Sequence, residues 1–236
     1  MKFLSEKISV LDHGYVEPKE FWGSDERIIE AARQSTGGGF VSWEPYPNHP
    51  KGDSGLLRYL YRNKHMTPFE MCGATFEVQL PIFVTREWHR HRTQSYSEAS
   101  ARYAPLPDLY FLPEKSRLFR KNEDNKQANA VKGAELLTDE AAEAWLTELG
   151  KFYDEAEALY QEGLRIGIPK EIARVVMPVG HYTRMYASGN LRNWMQFLAL
   201  RQDGAAQEEI RVYADAVADA LTKQFPRTME LFNEAR

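Results

Sequence analysis

Residues 86–103 read REWHRHRTQSYSEASARY. Arg86, Arg90, Arg92 and Arg102 fall within this stretch, with His89 and His91 between them. Four guanidiniums this close repel one another, so they call for carboxylates or a bound anion among them. The planar fork of arginine suits a phosphate and also an imide or carboxylate edge. A plainer reading stands beside this one. Pro81 is placed to start a helix through about Arg92, and cations in the last turn complement the helix macrodipole. Composition alone does not separate the two. The hydroxyls of Ser95, Tyr96, Ser97 and Ser100 tilt the balance, because such a run suits a polar ligand better than a core. Glu98 stands among the arginines, where it can orient them or accept from a ligand N–H.

Upstream, ATFEVQL at 74–80 alternates, with Phe76, Val78 and Leu80 on one face, which predicts a strand. Before it, HMTPFE puts His65 ahead of a capping box at Thr67–Glu70, with Pro68 at the first helical position. A helix N-terminus there suits an anion such as a pyrophosphate, although most caps bind nothing. Further back, KISVL at 7–11 reads as a short strand. Ser24 is placed to cap a helix over DERIIEAARQS, which Gly37-Gly38-Gly39 ends. Residues 40–53 read as a loop, and a helix follows from about Ser54 with Leu57, Leu60 and Tyr61 at core spacing.

Downstream, residues 104–130 are proline-containing and then charged, and read as a mobile connection. A long amphipathic helix is expected over 138–166, with Trp145, Leu149, Phe152, Ala156 and Leu159 as its buried face. Another helix starts at Pro169, and on it Glu171 and Arg174 share a face and are placed to pair. Asn190 is placed to cap a helix reaching about Arg201, with Arg192 and Gln196 one turn apart. Arg201 follows the apolar run FLAL, so its stem is expected to be buried. A buried guanidinium needs a partner; Asp203 or an anionic ligand would serve. The last helix is expected at about 206–224.

The chain has 236 residues, 43% hydrophobic and 27% charged, with a formal net charge of -4. That is ordinary globular composition. With no linker in view, one domain over 1–236 is expected. The acidic balance speaks against a nucleic-acid coat protein. The Arg, His, Tyr and Trp mixture at 86–103 still permits a single-stranded nucleic-acid binder. Cys72 is the only cysteine, so neither a disulfide nor a thiolate metal cluster is expected within one chain. No stretch approaches the roughly 18 apolar residues of a membrane span, and a cytoplasmic protein is expected.

Arg90-His91-Arg92, seven residues and then Ser100 resemble the RHR-x7-S signature of the flavin-dependent thymidylate synthases. AARQS at 31–35, HMTPFE at 65–70, PIFVTREW at 81–88, SARY at 100–103, EIAR at 171–174 and the stretch Asn190 to Arg201 also resemble segments of that family, in its order. The resemblance covers nearly the whole chain. It implies an α+β fold: a small antiparallel sheet surrounded by helices, assembled as a homotetramer with active sites between subunits. It implies methylation of dUMP to dTMP with methylene-tetrahydrofolate as carbon donor, FAD as hydride carrier and NADPH as reductant.

By the same resemblance, His65, Thr67, Arg90, His91, Arg92, Glu98, Asn190, Arg192 and Gln196 are expected at FAD. Glu87, Trp88, His89, Arg90, Glu98, Ala99, Ser100, Ala101, Arg102, Arg174 and Arg201 are expected at dUMP, with Ser100 to Arg102 at its phosphate. Arg201 matches the activating arginine, an electrostatic role rather than a basic one, since a guanidinium stays protonated. Cys72 sits on an apolar stretch and reads as a small buried hydrophobe, and Ser100 as a binding hydroxyl. The chain departs from the family pattern at four places. Glu87 stands for a common Gln, Ser97 for Asn and Gln196 for Asn, and Gly204-Ala205-Ala206 lacks a histidine. An inactive paralogue kept for assembly is a further reading, against which the intact Ser100, Arg174 and Arg201 argue.

Overall fold

The computed structural model describes residues 6–118 and 135–236. Five antiparallel strands form one sheet in the order β1-β2-β3-β5-β4. They are β1 (Ile8–Val10), β2 (Gly14–Trp22), β3 (Gly73–Pro81), β4 (Ser95–Glu98) and β5 (Tyr182–Asn190). The helices are α1 (Asp25–Ala32), α2 (Gly52–Arg62), α3 (Ile82–Trp88), α4 (Asp139–Arg165), α5 (Lys170–Ala173), α6 (Leu191–Arg201), α7 (Glu208–Gln224) and α8 (Pro226–Glu234). The expected mixture of a small antiparallel sheet and surrounding helices is what forms.

The alternation in β3 sets the layering. Ala74, Phe76, Val78 and Leu80 are fully buried, while Thr75, Glu77 and Gln79 face outward. On β5, Met185 and Ala187 point to the same core, and Arg184 and Tyr186 to the open face. Helices α6 and α7 cover the buried face. Trp194 Nε1 donates to the Ala74 carbonyl at 3.0 Å, and the Tyr213 hydroxyl to the Gln79 carbonyl at 2.7 Å. Each large ring buried here is worth about 1.5–3 kcal/mol before entropy. The open face is polar: Tyr15 donates to Glu77 at 2.5 Å, and Lys19 bridges Glu17 and Glu77.

Several expectations change. β2, β4 and β5 were not anticipated, and the helix expected as the last is followed by α8. Pro18 sits in β2 at a register shift between Pro18 and Glu20, beyond the reach of β1, so its missing N–H costs no ladder bond. α1 stops at Ala32, followed by a 3-10 turn and Gly37 in the left-handed region at φ 67°. Ser24 occupies the cap position, but its side chain does not accept from the helix N–H groups. Residues 104–118 are an ordered extended segment: Tyr110 pairs with His181 across a β-bridge, and Phe111 N donates to the Gly180 carbonyl. Residues 119–130 of the expected mobile connection lie outside the described residues.

The face of α4 is a further correction. Its buried residues are Ala142, Tyr153, Ala156, Tyr160 and Gly163. Trp145, Phe152 and Leu159, expected inward, are 49%, 51% and 59% exposed. Spacing identified an apolar stripe correctly but not the surface that would cover it. The loop at 40–51 is pinned from α2 by Asp53. That carboxylate is fully buried, pairs with Arg33 at 2.5 Å, and accepts from Tyr46 and from the Val41 N–H.

Candidate active site

The turn after α3 is built around Trp88. Its ring is fully buried against Phe197, with centroids 4.6 Å apart, and edge-on to Trp194. Its indole N–H donates to Gln94 Oε1 at 3.0 Å. The Tyr96 hydroxyl, from β4, donates to the His91 carbonyl at 2.8 Å. These contacts fold residues 89–94 into a tight turn, so α3 ends at Trp88 and not at Arg92. Arg90 and Arg92 therefore lie beyond the helix, exposed at the turn. Packed this way, the Trp88 side chain is closed off from the surface.

Arg201, at the end of α6, points back into this turn. Its Nε donates to His91 Nε2 at 2.8 Å, Nη1 to Glu87 Oε2 at 2.7 Å and Nη2 to the Glu87 carbonyl at 2.8 Å. Its partner is thus neither Asp203 nor any local acid but a residue on α3. The guanidinium is mostly buried, with 15% of its side chain exposed. Burial pushes the His91 imidazole down to about 4, helped by the Arg201 charge and opposed by Glu87. His91 is therefore a neutral acceptor at ordinary pH.

A second group forms where α5 meets the segment after β4. Arg102 Nε lies 3.2 Å from Glu171 Oε2, and Lys170 Nζ donates to the Tyr103 carbonyl at 3.0 Å. The Arg102 N–H donates weakly to Ser100 Oγ at 3.4 Å, and Ala101 is buried beneath. Glu171 thus pairs with Arg102 and not with Arg174. Arg174 is exposed at the start of the 3-10 turn that follows α5. Glu98 Oε1 accepts from Thr183 at 2.9 Å, and the Ala99 N–H donates to the Arg184 carbonyl.

A third group gathers at the start of α6. Asn190 caps that helix as expected, its Oδ1 accepting from the Asn193 N–H at 2.9 Å. Arg192 pairs with Glu70, and Gln196 is exposed one turn on. The capping box at Thr67–Glu70 does not form. Those residues make a 3-10 turn without a side-chain cap, because Glu70 is engaged by Arg192 instead. His65 is exposed and edge-on to Tyr59.

Among the described residues, Asn193 Nδ2 donates to the Thr93 carbonyl at 3.1 Å and so ties the start of α6 to the turn after α3, while no ion pair links any two of the three groups. Arg86, Arg90, Arg92 and Arg174 meet no carboxylate of the described residues within ion-pair distance. His89 Nε2 and Gln94 Nε2 are buried without a hydrogen-bond partner. Beside β4 lies an open cavity of about 340 Å³ lined by Glu77, Ser97, Glu98, Arg184 and Tyr186. No group of three or more His, Cys, Asp or Glu side chains suited to a metal occurs among the described residues. Their helices include none long and apolar enough to cross a membrane. Cys72 is buried, its Sγ 3.4 Å from the Ser24 carbonyl, and burial pushes its thiol up to about 11. It is no nucleophile.

The family model described as thymidylate synthase complementing protein matches residues 19–227. The flavin-dependent thymidylate synthase of Rickettsia bellii is 39% identical over 247 residues, spanning 100% of this chain and 81% of that protein. That of Ehrlichia ruminantium strain Gardel is 38% identical over 98% of this chain and 74% of its own length. The chain belongs to the flavin-dependent thymidylate synthase family. Its fold is similar to that of the UMP/dUMP methylase PolB from Streptomyces cacaoi. The structure with 5-Br UMP has a TM-score of 0.79 and 33% identity, over 96% of this chain and 97% of that one. The structure with 5-Br dUMP has the same TM-score at 34% identity.

In this family member, two site neighbours escaped the sequence reading. Glu70 was taken as half of a capping box, and only the fold shows that it holds Arg192. Arg184 carried no local signal; its alternation with Thr183 and Met185 would have exposed it had β5 been recognised.

Proposed function

We propose that the chain methylates dUMP reductively to dTMP, taking the carbon from methylene-tetrahydrofolate and reducing equivalents from NADPH through FAD. The observation that carries this reading is Arg201. Three bonds fix the guanidinium, and one N–H on each terminal nitrogen is left over. A fixed cation beside the imide edge of uracil favours negative charge on the ring and so a nucleophilic ring carbon 5. The PolB neighbours hold brominated UMP and dUMP, a base with that same edge.

The residues fit a flavin dinucleotide by the chemistry of the donors. Arg90 and Arg92 are exposed cations without carboxylates, and His89 Nε2 is a buried polar atom without a partner. Such a set suits a diphosphate. FAD supplies hydride to the transferred carbon when bound. The residues that would hold it are His65, Thr67, Arg90, His91, Arg92, Glu98, Asn190, Arg192 and Gln196, with His91 acting through Arg201. Arg102, kept in place by Glu171, and Arg174 would take the dUMP phosphate, with Ser100 donating a hydroxyl. Glu87, Arg90, Glu98 and Arg201 would surround the base, with the Trp88, His89, Ala99 and Ala101 backbones beside them.

Site residues spread over three places on the surface suit active sites shared between subunits, and a homotetramer is proposed. The exposed Trp145, Phe152 and Leu159 stripe of α4 is the apolar surface such an assembly would cover. One catalytic domain over 1–236 in the cytoplasm completes the reading.

The test is tritium release from dUMP labelled at ring carbon 5, with FAD, NADPH and methylene-tetrahydrofolate each omitted in turn. Release that needs all three supports the proposal. Labelled UMP in a parallel arm asks whether the sugar is read. A chain that binds FAD without releasing tritium from either nucleotide refutes it.

A further inference from the structure

The loop that carries Ser100, Ala101 and Arg102 runs straight into Ala104-Pro105-Leu106-Pro107. Each proline fixes its own φ at about −65° and pushes the residue before it out of the helical region. All four residues are thereby restricted, and the segment is a stiff link rather than a hinge. Its near end is clamped by α5: Glu171 pairs with Arg102 at 3.2 Å, and Lys170 donates to the Tyr103 carbonyl at 3.0 Å. Along its length, the Leu106 N–H donates to the Tyr160 hydroxyl of α4 at 3.3 Å.

His181, the residue before β5, closes the far end. It is fully buried, and its Nε2 lies 2.6 Å from the Pro107 carbonyl. A carbonyl only accepts, so Nε2 carries the proton and donates. The same oxygen accepts from the Leu109 N–H at 2.9 Å, so the chain turns at Asp108 with His181 holding the turn. From Leu109 onward the chain pairs with the lead into β5: the Tyr182 N–H donates to the Leu109 carbonyl, and the Phe111 N–H to the Gly180 carbonyl. The other ring nitrogen of His181, Nδ1, is buried without a partner. An apolar side chain would fill the same space without stranding a nitrogen, which is costly. The bond to Pro107 is the one thing an imidazole adds there.

We propose that His181 is a positioning residue for Arg102: it fixes the angle at which the stiff link 104–107 leaves the start of β5, and so where the guanidinium stands. This rests on the reading of Arg102 as a phosphate arginine. His181 is not among the residues expected at the base or the flavin, so its effect falls on one part of one ligand. Binding that uses the phosphate depends on it, and binding of the base alone does not.

The test is equilibrium titration of the FAD-loaded protein with dUMP and with deoxyuridine, which lacks the phosphate. His181→Phe keeps a ring and loses the donor; it is expected to weaken dUMP about fivefold to tenfold and deoxyuridine by less than about twofold. His181→Gln returns an Nε2 donor and is expected to recover dUMP affinity to within about threefold of wild type. In an Arg102→Ala background, His181→Phe is expected to change dUMP binding no further, because the two act on one contact. Three results overturn the proposal: dUMP affinity within about twofold of wild type in the Phe variant, equal losses for both ligands, or a full second loss in the Arg102→Ala background. Should the Phe variant not fold, Pro105→Gly decides. That position is exposed, and loosening it is expected to weaken dUMP about threefold while sparing deoxyuridine. Unchanged dUMP affinity there overturns the stiff link. Wild-type dUMP affinity in Arg102→Ala alone overturns the phosphate reading itself, and is seen without touching His181.

Discussion

His91 Nε2 accepts from Arg201 Nε at 2.8 Å, which puts the imidazole's own proton on Nδ1 and leaves the ring neutral. Protonation would take away the acceptor and set two cations against each other. The unfolded chain titrates near 6.5 and the folded ring at about 4. Between those values the unfolded state binds the extra proton. The contribution of a neutral His91 is therefore complete above pH ~6.5, is lost as pH falls towards 4, and levels off below it. The shift amounts to about 3 kcal/mol at most. Urea unfolding of wild type and His91→Gln across that window should show wild type losing more. A difference between them that stays flat with pH would refute this.

Arg201→Ala should lower dTMP formation by about 10²–10³, the usual loss when a preorganised electrostatic group is removed, with FAD still bound. Arg201→Lys should not restore it. An ammonium cannot reach His91, the Glu87 carboxylate and the Glu87 carbonyl at once with fixed geometry. Tritium release alongside the flavin absorbance spectrum measures both. Full turnover in either variant ends the activation role.

Arg102→Ala should weaken dUMP binding by about tenfold to a hundredfold, the value of a charge-assisted bond, with less effect on turnover at saturation. Glu171→Gln should cost under about 1 kcal/mol of stability, because that ion pair is solvent-exposed on both sides. Titration calorimetry with dUMP is the check. Unchanged affinity in the Arg102 variant would remove the phosphate assignment.

Phe152→Asp on α4 should shift the protein towards smaller assemblies and lower activity while leaving helix content intact. Sedimentation velocity distinguishes the species. An unchanged assembly would mean that the exposed stripe is not where copies meet.

Asp53→Ala should destabilise the fold by about 3–5 kcal/mol, since it strands the Arg33 charge and the Tyr46 hydroxyl in a half-buried place. Chemical denaturation reads this directly. A loss below about 1 kcal/mol would show that water replaces the carboxylate.

What was legible followed from local physics. The alternation of Phe76, Val78 and Leu80 marked β3, and Asn190 marked the start of α6, because strand faces and caps are set by nearby residues. β2 was missed because Pro18 and three charged neighbours hide its pattern, and because a bulge absorbs the proline. The hydroxyl-rich, arginine-rich turn at 86–103 was visible as chemistry. Its wiring was not, since Arg201 reaches Glu87 across 114 residues and Arg192 reaches Glu70 across 122. In α4 the period was read correctly, but the stripe this chain buries runs through Tyr153, Ala156 and Tyr160, and the neighbouring stripe of Trp145, Phe152 and Leu159 stays exposed.

The two edges of the sheet carry one more consequence. β1 has three residues and β4 has four, against nine in each of the strands between them. An incoming strand finds few unpaired amides to grip on either side. Ribbon-like growth from copy to copy is cut off at the start, and self-association is steered to side chains, whose fit can be selected, rather than to backbone, which pairs with anything.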